Sequence, residues 1–541
     1  MGPHRYVTES FTPDEREALE RYVTNIDRPV FALTGMPEVV KGALFARYSR
    51  SPKSLRRLLL DEFADDLGQE PTAGRGAETE ERGPARRAAR LYERVFVEYG
   101  DDSVAQLGGA HVAVEQASNL LTKVLQWGRL AAYLEQSTRY MRYDDRPDGR
   151  YRYYRDPDVM AGPHAGAYES TLDAVFADYS ALFDPVQRWV RAHFPQDEAT
   201  SDVAYRNAVT AKVCDLLRGL LPAATVSNVG IFASGQSYEQ LLLRLRGHEL
   251  AEARVVGSAL LDELRRVIPS FLTRVDRPDR GGVWTAYLAD TRTRTRQLAT
   301  ELLEGVKPDS APEVSLVAHS ADAEVELVTG MLYPHSHLPE AQLREAVRAM
   351  PADERMRVVR AYVGDRQNRR HRPGRALERV WYRFDVCSDY GAFRDLQRHR
   401  MLTIEWQELG CGHGYDTPAE LAEAGVEAAW HRALARQAEL WERLHPDLPR
   451  QSQYAVGFAW KLRYTMQLNA RAAMQLIELR SAPQGHPSYR RIAQEMHRLI
   501  ETEAGHPAVA QMMRFVDHSS GDLERLEAER AAEARRSTAG A

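Results

Sequence analysis

The sequence predicts a mixed helix-and-strand protein with more than one domain, on three observations. First, 541 residues with 43% hydrophobic and 28% charged content describe a soluble globular chain long enough for two or more cores. Second, His111-Val112-Ala113-Val114-Glu115 alternates as a strand does, and Ser118 behind it can cap a helix carrying Leu121, Val124 and Leu125. Third, Trp381-Tyr382-Arg383-Phe384-Asp385-Val386 alternates large apolar and charged residues, which predicts a half-exposed strand. Behind it Tyr390, Phe393 and Leu396 recur at helical spacing.

The remaining elements follow in order. Residues 12 to 26 read as a helix, with Thr12 as N-cap, Pro13 at its first position and Ala18, Leu19 and Val23 on one face. A polar, Gly/Pro-containing stretch from Asp65 to Arg87 reads as a loop. Arg292 to Glu304 reads as a helix, Gly305 to Ser310 as a linker, and Glu313-Val314-Ser315-Leu316-Val317 as a strand. Arg369-Arg370-His371-Arg372-Pro373-Gly374-Arg375 is a basic cluster, by default a solvated loop. Gly410-Cys411-Gly412-His413-Gly414 has no strand leading into it and too few ligands for a metal, so it reads as a turn. The helix after it is announced by Thr417-Pro418-Ala419-Glu420, which has capping-box form. Asn469 and Arg471 stand ahead of Ala473, Met474 and Ile477, an apolar stripe; residues two apart on a helix diverge, so if both contact a ligand, Asn469 sits at the helix start or touches a different part of that ligand. From Gly521 the tail is charged and Ala-rich, a solvated helix fading into disorder.

Several classes are excluded. No segment is apolar enough to span a membrane and Met1-Gly2-Pro3-His4-Arg5 opens no signal peptide, so the expected compartment is the cytoplasm. Three cysteines, Cys214, Cys387 and Cys411, show no paired spacing and predict neither a disulfide framework nor structural zinc. A formal charge of −5 argues against DNA or RNA as a general partner.

Chemistry concentrates at Arg398-His399-Arg400, two guanidiniums around an imidazole at a helix end. Such a triplet can grip an anion, since an Arg fork pairs bidentately with phosphate or carboxylate and the His can stack or donate. On the triplet alone, a solvated basic helix end is the simpler reading. Together with Asn469-Ala470-Arg471 and Leu479-Arg480, however, it resembles the flavin-dependent thymidylate synthase (ThyX) family. That family carries R-H-R followed at fixed spacing by S, N, E, S and R, then N-x-R ahead of a helix ending in L-R.

The resemblance implies two tandem copies of the family's domain, residues 1–308 and 309–541, with the signature divided between them. In the first, Trp127-Gly128-Arg129 occupies the place of the triplet, while Glu135, Gln136, Ser137, Arg139 and Tyr140 keep the E-x-S-x-R end. Were that segment an extended loop, Ser137 and Arg139 would project to one side and could hold a phosphate; a surface turn with an incidental Arg is the plainer alternative. Leu220-Leu221-Pro222 and Leu245-Arg246 match later landmarks, and Gly235-Gln236-Ser237 stands where N-x-R belongs. The second copy keeps Arg398, His399, Arg400, Asn469 and Arg471, but has Thr403, Glu405, Glu408 and Gly410 where the family has Ser, Asn, Ser and Arg. Asp395 and Val124 replace a Gln three residues before the triplet.

The implied fold is α+β, each copy a mixed or antiparallel sheet packed with helices. The implied activity is reductive C5 methylation of dUMP with FAD, methylenetetrahydrofolate and NADPH, at a site completed where a first copy meets a second. Arg398 and Arg471 would stabilise charge on the pyrimidine, Glu135, Gln136, Ser137 and Arg139 would bind the nucleotide, and His399, Arg400 and Asn469 would bind FAD, with no metal. Two chains would form a homodimer, a pseudo-tetramer of four domains with half the usual sites. The departures leave open another pyrimidine nucleotide as substrate, or a flavin- or nucleotide-binding homologue without catalysis that serves a regulatory or structural role.

Overall fold

The computed structural model describes residues 9–27, 31–48, 53–62, 106–198, 200–519, 526 and 530. The expected loop from Asp65 to Arg87, the N-terminal five residues and nearly all of the tail beyond Gly521 lie outside the described residues. Among those described, no helix is long and apolar enough to cross a membrane.

The fold is α+β and its plan is used twice. In the first half, β1 (Gly109–Ser118) runs into α1 (Asn119–Leu125), β2 (Ala131–Glu135) follows, and later β3 (Val226–Ser234) runs into α2 (Gly235–Arg246). After β4 (Val314–His319), the second half repeats this with β5 (Trp381–Asp389), α3 (Tyr390–Leu396), β6 (Thr403–Trp406), β7 (Lys461–Asn469) and α4 (Ala470–Arg480), followed by α5 (Pro487–Thr502). The sheet orders correspond: β1-β3-β2 in one half and β4-β5-β7-β6 in the other, where β5-β7-β6 matches the first three. Each strand-to-helix step turns on a side-chain cap that satisfies an otherwise orphaned N–H of the first helical turn. Ser118 accepts from Leu121 N, Ser234 from Ser237 N, Asp389 from Ala392 N and Asn469 from Ala472 N. Trp127 follows its cap Ser118 at the interval at which Arg398 follows Asp389, which puts Trp127-Gly128-Arg129 in register with the triplet. The same caps correct the other alignment by one residue: Ser234-Gly235-Gln236, and not Gly235-Gln236-Ser237, corresponds to Asn469-Ala470-Arg471.

By packing, the described residues form two compact units that interleave along the chain. The first comprises residues up to Glu115, Gly128–Glu135 and Asn228–Val306; the second comprises Gln116–Trp127, Gln136–Ser227 and Lys307 onward.

In the first unit, β2 and β3 are antiparallel, from Ala131 opposite Ala233 to Glu135 opposite Val229. The helix expected from residue 12 starts as predicted, with a Thr12/Glu15 capping box and Pro13 in its first turn, but ends at Glu20. Beyond it Val23 bridges Leu33, and Thr24 Oγ1 accepts from Ala32 N, a local bond that draws a β-branched residue out of a helix. Leu19 and Val23 are buried all the same. The helix expected from Arg292 spans Val283–Leu302, and Gly305, at φ 77°, begins the linker.

In the second unit, β5 lies between β4 and β7, antiparallel to both. Its first half alternates as predicted, with Tyr382, Phe384 and Val386 buried and Arg383 exposed, but the half-exposed expectation fails beyond Val386, where Cys387, Ser388 and Asp389 are buried too. The predicted stripe of α4, Ala473, Met474 and Ile477, is buried, and so are Tyr390, Phe393 and Leu396 of α3. α5 packs against β4, α3 and α4, while helix Ala165–His193 packs on Asp202–Leu217 and Glu427–Leu444. Residues 410–414 form the expected turn, and Arg369, Arg370, His371 and Arg372 are exposed in a loop. The capping box at Thr417–Glu420 does not form: the single turn Glu420–Glu423 has no side-chain cap, because Lys212 Nζ holds the Glu420 carboxylate at 2.9 Å.

Candidate active site

The second unit gathers charge at the C-terminal end of α3. Asp395, in its last turn and buried, takes Arg398 Nη1 on one oxygen and Arg218 Nη1 on the other, each at 3.3 Å. Burial alone would raise this carboxyl, but Arg398, Arg218, Arg480 and Arg139 outweigh it and hold it far below the usual range. The carboxylate binds two guanidiniums and lies in the field of two more.

His399 is fixed by the last residue of α4. Arg480 Nε donates to His399 Nε2 at 2.9 Å, and since a guanidinium only donates, Nε2 must be unprotonated and the ring carries its proton on Nδ1. Burial and the adjacent Arg480 charge push its pKa well below the ordinary value, so the imidazole is neutral at pH 7.

Arg139 reaches the same cluster from the first half of the sequence. Its Nε and Nη2 make a bidentate pair with Asp215 at 2.7 Å each, Nη1 donates to Tyr489 Oη at 2.8 Å, and Nη2 also donates to the Gln484 carbonyl. Against the expectation of an extended loop, Ser137 to Tyr140 form a turn in which Ser137 Oγ accepts from Arg139 N at 3.2 Å. A Ser hydroxyl two residues upstream of an N–H closes such turns locally, which removes the shared side that an extended backbone would give the two residues.

The other predicted residues are placed as follows. Glu135 ends β2 opposite Val229 in the first unit, whereas Gln136, whose amide lies against Met141 Sδ, begins a segment of the second. Arg400, the last residue of the triplet, is exposed. Asn469 is at the helix start, as expected, with Oδ1 committed to Ala472 N at 2.9 Å. Arg471 does not join the cluster: its guanidinium holds the Pro373 carbonyl and Glu378. The reason is helical geometry, since positions 471 and 480 lie on opposite faces of α4 and about 13 Å apart along its axis. Arg480, of the Leu479-Arg480 landmark, is the residue of α4 that meets the triplet, at His399. Arg218 stands two residues before the Leu220-Leu221-Pro222 landmark, which could have flagged it; nothing in the sequence flagged Asp215 or Tyr489. Among the described residues no group of three or more His, Cys, Asp or Glu could hold a metal.

Residues 46–270 and 315–506 match the family described as thymidylate synthase complementing protein, one domain in two consecutive stretches. The chain belongs to this family. Full-length relatives share the arrangement: UPF0159 proteins of Chlamydia pneumoniae and Chlamydia muridarum are each 39% identical across 96% of this chain and 98% of their own. One from Thermoplasma acidophilum is 29% identical across 90% of this chain and 97% of its own. Among solved structures, the family's ThyX of Helicobacter pylori, complexed with FAD and dUMP, is 14% identical over 35% of this chain and 93% of its own, with a TM-score of 0.26. A UMP/dUMP methylase, PolB, of Streptomyces cacaoi, bound with 5-Br dUMP, is 18% identical over 38% of this chain and 97% of its own, with a TM-score of 0.29. At those scores the likeness to the two structures decides nothing about the chemistry of this chain.

Proposed function

We propose that the second unit carries one flavin-dependent site that methylates a pyrimidine nucleotide at C5, with dUMP the first candidate and methylenetetrahydrofolate and NADPH as co-substrates. Family membership supports the class. The observation that carries the reading is that the second unit sets Arg398 against Asp395, Arg480 against His399, and Arg139, from the first repeat, against Asp215 and Tyr489, with the Arg480 and Arg139 charges both bearing on Asp395. Neither repeat holds that set alone.

The donor set suits a flavin nucleotide. His399 keeps an Nδ1–H once Nε2 is engaged by Arg480, Arg398 and Arg400 present exposed guanidiniums, and Asn469 keeps its amide N–H groups once Oδ1 has capped α4. Bound FAD would supply the hydride chemistry, which no side chain can. Uracil C5 attacks carbon poorly unless negative charge developing on the ring is stabilised, and in this reading Arg398 and Arg480 do so in place of the expected Arg471. Arg139 orients the phosphate end, and Ser137 closes the turn that carries it. With the first copy's triplet and the second copy's Ser and Arg lost, each chain carries one site, and two chains assemble as a homodimer of four repeats.

One observation favours a second reading, a binding protein without turnover. Four bonds within the chain already occupy the Arg139 guanidinium, which has only five N–H donors to give. The visible spectrum of the purified protein, titrated with dUMP beside an Arg139→Lys variant, separates the two. Bound flavin whose bands shift with dUMP in the natural protein, and not in the variant, supports the enzyme. Flavin that ignores dUMP leaves a binding protein, and a protein that takes up no FAD sinks both.

A further inference from the structure

Helix Val283–Leu302, the last long element of the first unit, buries none of its 20 residues. Its polar side holds it in place. Arg292 Nη1 donates to the Gly247 carbonyl at 2.7 Å, Arg296 pairs with Glu249, and Thr285 lies against Gly247. At 3.6 residues per turn Thr285, Arg292 and Arg296 share one face, and the apolar residues fall on another. Val283, Trp284, Tyr287, Leu298 and Leu302 form a stripe turned away from those anchors and are 55%, 36%, 65%, 53% and 72% exposed. An amphipathic helix owes most of its stability to the packing of its apolar face. Here the polar face is docked and the apolar one is bare, so the described residues do not supply its cover.

The stripe is complementary to itself. Trp284, Leu288, Thr291, Thr295, Leu298 and Leu302 follow at intervals of 4, 3, 4, 3 and 4, which read the same in both directions. Two copies laid antiparallel about a two-fold axis level with Thr293 bring Trp284 opposite Leu302, Leu288 opposite Leu298 and Thr291 opposite Thr295. Beside them Val283 comes opposite Leu303, and the bulky Tyr287 opposite the small Ala299. Charge agrees with this direction. Asp290 and Arg294 form no ion pair among the described residues and share one edge of the stripe, and the antiparallel arrangement brings Arg294 of each copy near Asp290 of the other.

We infer that this helix is a docking surface for the same helix of a second copy, antiparallel across a two-fold axis. It supplies a contact for the homodimer proposed above and rests on that reading only for the number of chains, since neither flavin nor nucleotide enters it. A helix of this length offers a strip about 30 Å long and about 10 Å wide. That is small beside a permanent interface, so the dimer should come apart on dilution.

Sedimentation equilibrium of the full-length protein tests this, with Leu298→Glu and Leu302→Glu alongside. The natural chain, 61.2 kDa, should approach twice that mass as its concentration rises. A symmetric contact buries each introduced charge twice, so either substitution should raise the dimer dissociation constant by about a hundredfold or more. Both positions are exposed in the single chain, so circular dichroism and thermal unfolding should not change. Mild oxidation of Thr291→Cys and Thr295→Cys proteins reads the direction: mixed, they should form a disulfide-linked dimer more readily than either alone. A natural protein that stays monomeric would overturn the inference, as would a dimer indifferent to both Leu298→Glu and Leu302→Glu. Equal cross-linking of either variant with itself would overturn it too, because a parallel pair aligns like positions. So would a monomer whose helix binds phosphatidylcholine vesicles, which would make a membrane surface the partner.

Discussion

At the scale of single residues, Asp395 is where the site is most vulnerable. Its two oxygens neutralise Arg398 and Arg218, so Asp395→Ala leaves two guanidiniums facing each other without a counter-charge. Removing one partner of a buried ion pair is expected to cost roughly 3–5 kcal/mol, measurable as a lower urea midpoint at unchanged m. His486 makes a prediction in pH. Burial and the Arg218 charge lower it to about 3, and the ring is neutral, accepting from Ser488 N and donating to the Asp215 carbonyl. A group whose folded pKa is depressed stabilises fully above its unfolded value, near 6.5, and loses that contribution as pH falls toward the folded one. Between pH 6.5 and about 4 the natural protein should therefore lose roughly 1.4 kcal/mol per pH unit relative to a His486→Asn variant. Asp389, whose carboxyl burial raises to about 6, changes in the opposite sense over part of that range in both proteins and cancels in the difference. Parallel stability curves for the two proteins from pH 7 to 4 would refute the assignment.

At the scale of elements, the four caps are what the repeat preserves, and they are interchangeable in function but not in chemistry. Asn469→Ala should destabilise the protein by about 1 kcal/mol, and Asn469→Ser should restore it. If the Asn469 amide also serves flavin, the Ser variant will recover stability without recovering FAD affinity, which a fluorescence titration of free FAD can read. Gly219 is a close joint between elements. A methyl there would meet Trp430 at 2.5 Å and the Ala459 methyl at 3.0 Å, so Gly219→Ala should cost about 1–3 kcal/mol by overpacking. This scale also explains what could be read from sequence. Ser118, Thr12 and Asn469 were legible as caps because capping is settled within four residues, and the stripe of α4 because burial follows its period. Thr417–Glu420 misled because a distant lysine took the carboxylate that the local motif needed. For Arg471 and Arg480 a motif gives spacing, while the azimuth on the helix puts Arg480 at His399 and Arg471 at Glu378. Asp215 and Tyr489 could not have been read at all, since their value comes from Arg139, which Tyr489 meets across 350 positions of sequence.

At the scale of the whole molecule, the repeat and the packing disagree about where the protein divides. The sequence halves meet near residue 308, yet Gln116–Trp127 and Gln136–Ser227 pack with the second half. Within that unit Tyr390 Oη donates to the Asn119 carbonyl, Gln397 Nε2 to the Lys123 carbonyl, and Ala223 N to the Val456 carbonyl. A polypeptide of residues 309–541 alone is therefore expected to lack cooperative unfolding and dispersed amide resonances, and co-expression with residues 1–308 should restore both. A well-dispersed spectrum from the isolated half would show that the repeat, and not the packing, sets the folding unit.

The interleaving of the two units also governs how the protein must be made. Residues 116–227 leave the ribosome well before the strands and helices beyond Lys307 with which they pack exist, so Asn119, Lys123 and Ala223 wait in the nascent chain for Tyr390, Gln397 and Val456. Elongation at roughly 5–20 residues per second makes that wait many seconds, far longer than hydrophobic collapse takes. In the proposed reading, where one site draws on both repeats, that site too is completed only when the second half has been made.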